Sequence, residues 1–147
     1  MRPASAPGLA RAVRVREHRR MEHPIMFDEH DPVLARVREV ALALPETEER
    51  LSHGRPWFHV VGRPAFAVYG SGTRGPDKVM HPHAVVVHVD DDELPARVQD
   101  PRFFVPAYLG PKGWLGLDVD GPDTDWAEVA ELLDASWRHS APARLLR

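Results

Sequence analysis

The stretch at the centre of the sequence is Trp57-Phe58-His59-Val60-Val61-Gly62-Arg63-Pro64-Ala65-Phe66-Ala67-Val68-Tyr69. It contains two apolar runs, and aromatic and β-branched residues of this kind are typical of strands. The Gly62-Arg63-Pro64 connection between the runs is short and rich in turn residues. Two such runs around a tight connection predict an antiparallel β-hairpin.

Upstream of this hairpin, the sequence predicts one helix that begins at Asp31 and ends at Pro45. Asp31 is a good N-cap, and Pro32 suits the first helical position, where no N–H is needed. The apolar residues recur at three- and four-residue steps and form one stripe: Val33, Leu34, Val37, Val40, Ala41 and Leu44. Leu51 is placed in a short strand before a turn at His53-Gly54.

Downstream of the hairpin, the sequence predicts further strands and two helices. The strands are expected at residues 84–89, 103–105 and 114–119, with a short helix between the first two that runs to about Gln99. A final helix is capped by Thr124 or Asp125 and carries Trp137 on its inner face. This order predicts an α+β fold, a two-layer sandwich in which the N- and C-terminal helices pack on one face of an antiparallel sheet.

Length and composition limit the classes of protein. The 147 residues suit one domain, which we predict over residues 29–147 after a disordered basic leader at 1–28. The absence of cysteine excludes disulfides, thiolate metal sites and thiol nucleophiles. No apolar run reaches the roughly 18 residues of a membrane span, and no secretory signal is present. We therefore expect a cytoplasmic protein that makes no membrane contact. As a separate expectation, the protein acts as a monomer.

Charge is distributed unevenly along the chain, although the net charge is only −3. Residues 50–78 carry five bases against Asp77 alone, and residues 118–134 carry seven acids and no base. An acidic body disfavours general binding of phosphate backbones. One basic segment is nevertheless enough to present a basic face.

The sequence contains no recognisable catalytic motif. The nine histidines include His81 and His83, but no spacing matches a known zinc motif. Ser52 and His53 are neighbours, yet a catalytic triad needs an orienting acid in space, which sequence neighbours do not supply. We therefore predict a non-enzymatic protein without metal or cofactor.

An aromatic segment follows the short helix. Phe103, Phe104 and Trp114 are interpreted as core residues, whereas Tyr108 and Lys112 lie in a glycine-flanked turn and are better surface candidates. Aromatic residues interleaved with bases can stack on nucleobases, and they can equally cover the edge of a sheet.

Several ordered blocks of the sequence resemble the MmcQ/YjbR family. The most characteristic is Asp100-Pro101-Arg102-Phe103-Phe104-Val105-Pro106-Ala107-Tyr108-Leu109-Gly110, followed by Gly113-Trp114-Leu115-Gly116. Ser52-His53-Gly54-Arg55-Pro56-Trp57-Phe58 and the final helix with its tail also agree. The resemblance implies a CyaY-like fold and a DNA-binding protein with a double-wing arrangement.

Two hypotheses for the function stay open at this stage. The first is weak, salt-sensitive DNA binding through basic side chains, for which the candidates are Arg50, Arg55, Arg63, Arg74, Lys78, Lys112 and Arg144. The alternative is a module of the same fold that binds a small ligand or a protein through His53, Tyr108 and Trp114. A contiguous basic face would favour DNA, whereas arginines paired with acids would favour the module.

Overall fold

The central hairpin is present as β2 (Arg55–Val60) and β3 (Ala65–Gly72) in the computed structural model, which describes residues 24–147. The predicted disordered leader, residues 1–28, lies mostly outside the described residues. The other elements are α1 (Pro32–Ala41), β1 (Thr47–Ser52), β4 (Met80–His88), α2 (Leu94–Gln99), β5 (Phe103–Phe104), β6 (Trp114–Asp118) and α3 (Trp126–Ser140). Short 3-10 turns occur at Gly110–Lys112 and Ala143–Leu145.

The six strands form one antiparallel sheet in the order β1-β2-β3-β4-β6-β5. The β1–β2 connection is the predicted two-residue turn, with positive φ at both His53 and Gly54. This backbone twist matches the twist of the strands that the turn joins.

The main hydrophobic core lies between one face of the sheet and the helices α1 and α3. Phe58, Phe66 and Tyr69 contribute to it from the sheet, and Leu34 and Leu133 from the helices. Trp137 is only 3% exposed, and its Nε1–H donates to the Pro45 carbonyl oxygen at 3.1 Å. The α+β two-layer sandwich and the inward position of Trp137 are thus confirmed.

Two details differ from the sequence analysis. The first helix ends at Ala41 rather than at Pro45, because the hydrogen bonding changes after the C-cap Leu42: the Leu44 N–H donates to the Ala41 carbonyl, three residues back, in a turn. Trp114 is buried as expected, but it lies in a second cluster on the opposite face of the sheet, with Val68 and Val86. Among residues 24–147, no helix is both long and apolar enough to cross a membrane.

Asp31 connects the start of α1 to the sheet. Its carboxylate accepts from the Val33 N–H at 2.8 Å and from the Tyr69 hydroxyl at 2.6 Å, and it lies 2.9 Å from His83 Nδ1. Tyr69 is fully buried, so its hydroxyl depends on protein partners, which are the Asp31 carboxylate and His83 Nδ1 at 3.0 Å. Asp31 is therefore both a helix cap and the anchor of a buried polar network.

Replacing Asp31 by alanine should lower the free energy of unfolding by about 2–4 kcal/mol. The loss of the N-cap contributes about 1 kcal/mol, and the loss of the hydrogen bond from the Tyr69 hydroxyl to a charged carboxylate adds about 1.5–3 kcal/mol, although His83 Nδ1 remains 3.0 Å from that hydroxyl. Asp28→Ala is the control, since Asp28 is exposed and accepts only a local bond from the His30 N–H. Chemical denaturation measures both, and equal losses in the two variants would contradict this role.

The contribution of Asp31 should also depend on pH. Burial raises the pKa of Asp31, but hydrogen bonds from Tyr69, the Val33 N–H and His83 outweigh burial and hold the pKa below its usual range. Stability from a depressed carboxyl pKa is present above the unfolded value of about 3.9 and is lost as the pH falls through the folded value. The stability advantage of the wild type over Asp31→Asn should therefore shrink below about pH 4. If the difference in unfolding free energy between the wild type and Asp31→Asn stays constant down to about pH 2, the lowered pKa of Asp31 is contradicted.

Candidate anion-binding pocket

A cavity of about 520 Å³ opens on the face of the sheet that α1 and α3 leave uncovered. We call it the outer pocket. Its lining combines apolar, aromatic and basic side chains with glycine backbone, and the described part contains no acidic residue. The lining residues are Met26, His53, Arg55, Trp57, Val68, Gly70, Ser71, Gly72, Lys78, Met80, Ala107, Tyr108, Leu109 and Lys112.

The apolar floor of the outer pocket comes from strand alternation in β2 and β3. Phe58 and Val60 point into the main core, so the odd-numbered residues of β2, which include Arg55 and Trp57, face the other side. Trp57 pairs across the strands with Val68 and packs with the second cluster. Its Nε1–H donates to the Ser52 carbonyl at 2.8 Å, which fixes the orientation of the indole ring.

Arg55 is the charged group that is built most deeply into the pocket. It is partly buried, and burial lowers the pKa of its guanidinium. Within the described residues it has no ion pair. The guanidinium lies directly against Gly70, where a Cβ atom would come within 2.3 Å of Arg55 Nη1. Gly70 therefore provides the space that Arg55 occupies.

An irregularity in the sheet creates this arrangement at Gly70. Tyr69 pairs with Val85 and Ser71 pairs with His81, so residues 82–84 of β4 oppose Gly70 alone. Strand alternation directs the Tyr69 side chain, like that of Ala67, into the core towards Asp31. The bulge lies at the next residue, Gly70, which faces Arg55 with a φ of 88°. Bulges of this kind often re-aim side chains beside functional sites.

Of the three non-glycine residues with a positive φ in the described structure, two lie at the rim of the outer pocket, and the third, Glu46, lies before β1. His53 has a φ of 53° and Tyr108 a φ of 67°, which non-glycine residues rarely adopt. Both line the pocket, and Tyr108 is 75% exposed despite its size. The two-residue β1–β2 turn requires the positive φ of His53, whereas Tyr108 holds its positive φ outside a two-residue hairpin turn, where the surrounding structure must impose it.

The structure divides the predicted DNA-binding residues into two groups. Arg55, Lys78 and Lys112 line the outer pocket, and the Arg74 guanidinium lies 5.1 Å from the centre of the Tyr108 ring. The other three are engaged elsewhere: Arg50 with Glu48 at 2.6 Å, Arg63 with the Ser140 carbonyl at 2.7 Å and Arg144 with Glu46 at 2.7 Å.

The predicted ligand-binding residues are brought together only in part. His53 and Tyr108 line the outer pocket, whereas Trp114 lies beneath it in the second cluster. Sequence reasoning missed Trp57, Met26 and Met80 as lining residues. For Trp57, the alternation of Arg55 and Trp57 with Phe58 and Val60 carried the signal, because alternate residues of a strand face opposite sides.

The remaining histidines form local pairs rather than a metal centre. His81 Nδ1 lies 2.9 Å from an Asp118 oxygen and its ring stacks on Phe104, and His139 pairs with Asp90. In the part of the chain described, no group of three or more His, Cys, Asp or Glu side chains is placed to hold a metal ion.

Fold and pocket together describe an α+β domain with one open, cation-lined sheet face. The sequence profile of the YjbR family matches residues 42–139, a range that includes every strand and most of α3. The chain therefore belongs to the YjbR family. No significant match was found among curated proteins or among solved structures.

The role of Gly70 can be tested with a matched pair of glycine variants. Gly62 and Gly70 both have a positive φ, but a Cβ at Gly62 would contact nothing within 4 Å. Gly62→Ala and Gly70→Ala should each lose about 1–2 kcal/mol through left-handed strain. Only Gly70→Ala should displace the Arg55 guanidinium, which the NMR signal of its Nε–H reports. An unchanged Arg55 signal in Gly70→Ala would contradict the close contact.

Proposed function

We propose that the protein is a non-enzymatic binding protein whose ligand is a small organic anion held in the outer pocket. The observation that carries this proposal is Arg55, a partly buried cation without an ion pair in the described structure. Burying a charge without a partner is unfavourable, and an anion would supply the missing charge-assisted hydrogen bonds.

The surroundings of Arg55 support a ligand rather than an internal partner. Lys78 and Lys112 reach the same cavity from separate loops, and no acid among the described lining residues neutralises them. Of the ten other arginines in residues 24–147, six are already paired with carboxylates, as Arg38 is with Glu29 and Glu49. The cavity volume also lies in the range of small-molecule sites, which is about 300–1,000 Å³.

Arg55→Met should show opposite effects on the free and the ligand-bound protein. Without ligand its melting temperature should equal or exceed that of the wild type, because a desolvated charge is replaced by an apolar chain of similar length. Added 1-naphthyl phosphate or naphthalene-1-sulfonate should raise the melting temperature of the wild type and leave that of Arg55→Met unchanged.

Arg50→Met is the control for that measurement. It removes the same charge from the same hairpin, but Arg50 lies outside the cavity and pairs with Glu48. Its response to both probes should match the wild type. If neither probe stabilises the wild type at low salt, or if Arg55→Met responds like the wild type, the proposal is wrong.

DNA binding is a second candidate, and the rim of the outer pocket supports it. The exposed Tyr108 ring with Arg74 against it and Lys112 nearby is the combination of aromatic face and cation that binds single strands. Only about four phosphates would be neutralised by Arg55, Arg74, Lys78 and Lys112. The logarithmic salt slope for single-stranded DNA should then be roughly −3, at about −0.7 per phosphate.

Under this second candidate, Arg74→Gln with Lys112→Gln should abolish retention of a single-stranded oligonucleotide in a gel shift. The control double variant, Arg50→Gln with Arg144→Gln, removes the same charge outside the pocket and should still retain the oligonucleotide. Equal weakening by both double variants would show a diffuse charge effect, and no retention at low salt would remove the candidate.

A further inference from the structure

We infer that the ligand of the outer pocket is a phosphate monoester that carries a flat aromatic ring. This inference rests on the proposed function and specifies the chemical class of its ligand. It follows from the charge of the lining and from the arrangement of its aromatic side chains.

The charge of the lining favours a dianion. Arg55, Lys78 and Lys112 bring three positive charges to the cavity, and the described lining contains no carboxylate. A phosphate monoester carries about −1.5 to −2 charges at pH 7, whereas a carboxylate or a sulfonate carries one. A phosphate also presents three acceptor oxygens, which suits cations that approach from different sides.

The three cations approach the cavity from different elements. Arg55 lies on the sheet against Gly70, and Lys112 ends the 3-10 turn at Gly110–Lys112. The Lys78 chain passes over Gly72, where a Cβ would lie 3.4 Å from Lys78 Cε. Arginine forms forked hydrogen bonds to phosphate, and lysine adds a point charge that its flexible chain can deliver.

The aromatic and apolar side chains of the outer pocket favour a ligand that carries a flat ring. The Trp57 indole is held by its bond to Ser52, and the His53 ring lies 6.4 Å away at an angle of 55°. Val68 and Leu109 add apolar surface beside them. Aromatic walls of this kind prefer a flat ring to a saturated one of equal size, because stacking adds to the burial of apolar area.

Two pairs of probes separate charge from shape in isothermal titration at pH 7.5 and low salt. 1-Naphthyl phosphate and naphthalene-1-sulfonate share a ring and differ in charge. Phenyl phosphate and cyclohexyl phosphate share a charge and differ in flatness. We expect the naphthyl phosphate to bind about tenfold more tightly than the sulfonate, and phenyl phosphate to bind about threefold or more tightly than cyclohexyl phosphate.

Variants connect each preference to its residues. Lys78→Gln with Lys112→Gln should remove the preference for phosphate over sulfonate, and Arg50→Gln should retain it. Trp57→Leu should remove the preference for the flat ring, and Trp57→Phe should retain it. If Trp57→Leu fails to fold, the comparison of phenyl with cyclohexyl phosphate in the wild type decides the point.

The outcomes distinguish this inference from the proposed function. If the sulfonate binds as tightly as the phosphate, or the saturated ring as tightly as the flat one, the inference is wrong while anion binding stands. If no probe binds, both are wrong. A 5′-phosphorylated oligonucleotide and the same oligonucleotide without the phosphate identify the source of the ligand. If only the phosphorylated form binds as tightly as 1-naphthyl phosphate, recognition of an aromatic phosphate monoester is supported and the natural ligand is the end of a nucleic acid. Binding of the small ester alone would assign it to a free metabolite.

Discussion

The helices α1 and α3 cover only one face of the six-stranded sheet, and the other features of the molecule depend on this asymmetry. The covered face holds the main core. The strands also place apolar residues on the opposite face, namely Val68, Val86 and Trp114, which need shelter from water. The chain between β5 and β6 provides part of this shelter through Leu109, and it leaves the outer pocket between itself and β2 and β3.

The bulge at Gly70 connects the stability of the core to the shape of the outer pocket. Tyr69 on one side of the bulge is held by the Asp31 network, which also caps α1. Gly70, at the bulge itself, provides the space for the Arg55 guanidinium. Because adjacent residues of one strand serve the two faces, the rigid core network holds the backbone against which the guanidinium lies. The fold thereby fixes the position of a cation whose burial is itself unfavourable, which is the arrangement that a preorganised anion site requires.

Local signals in the sequence were sufficient for most of the fold. Asp31 and Pro32 mark the start of α1, and the apolar runs on either side of Gly62 predict the central hairpin. Trp137 lies on the apolar stripe of α3. These three features were predictable because each is determined by residues only a few positions apart in the sequence. The choice of face for Trp114 was not predictable, since its strand is apolar on both sides.

Some residues of the candidate site were predictable one by one, but their assembly into a cavity was not. Lys78 and Lys112 lie in loops far apart in the sequence, and only the tertiary fold brings them to one cavity. Arg50 and Arg55 look alike in the sequence and differ because Glu48 pairs with the first while Gly70 makes room for the second. These contacts are non-local or conformational, so neither composition nor periodicity reports them.

The central claim is that an organic anion binds at Arg55 in the outer pocket, and NMR titration of the full chain tests it most directly. On addition of 1-naphthyl phosphate, the Nε–H signal of Arg55 and the indole Nε1–H signal of Trp57 should shift together along one saturable curve. The signals of Arg50 and Trp137, which lie outside the pocket, should stay in place. Shifts centred on Arg50 or Arg144, or none at Arg55, would contradict the account.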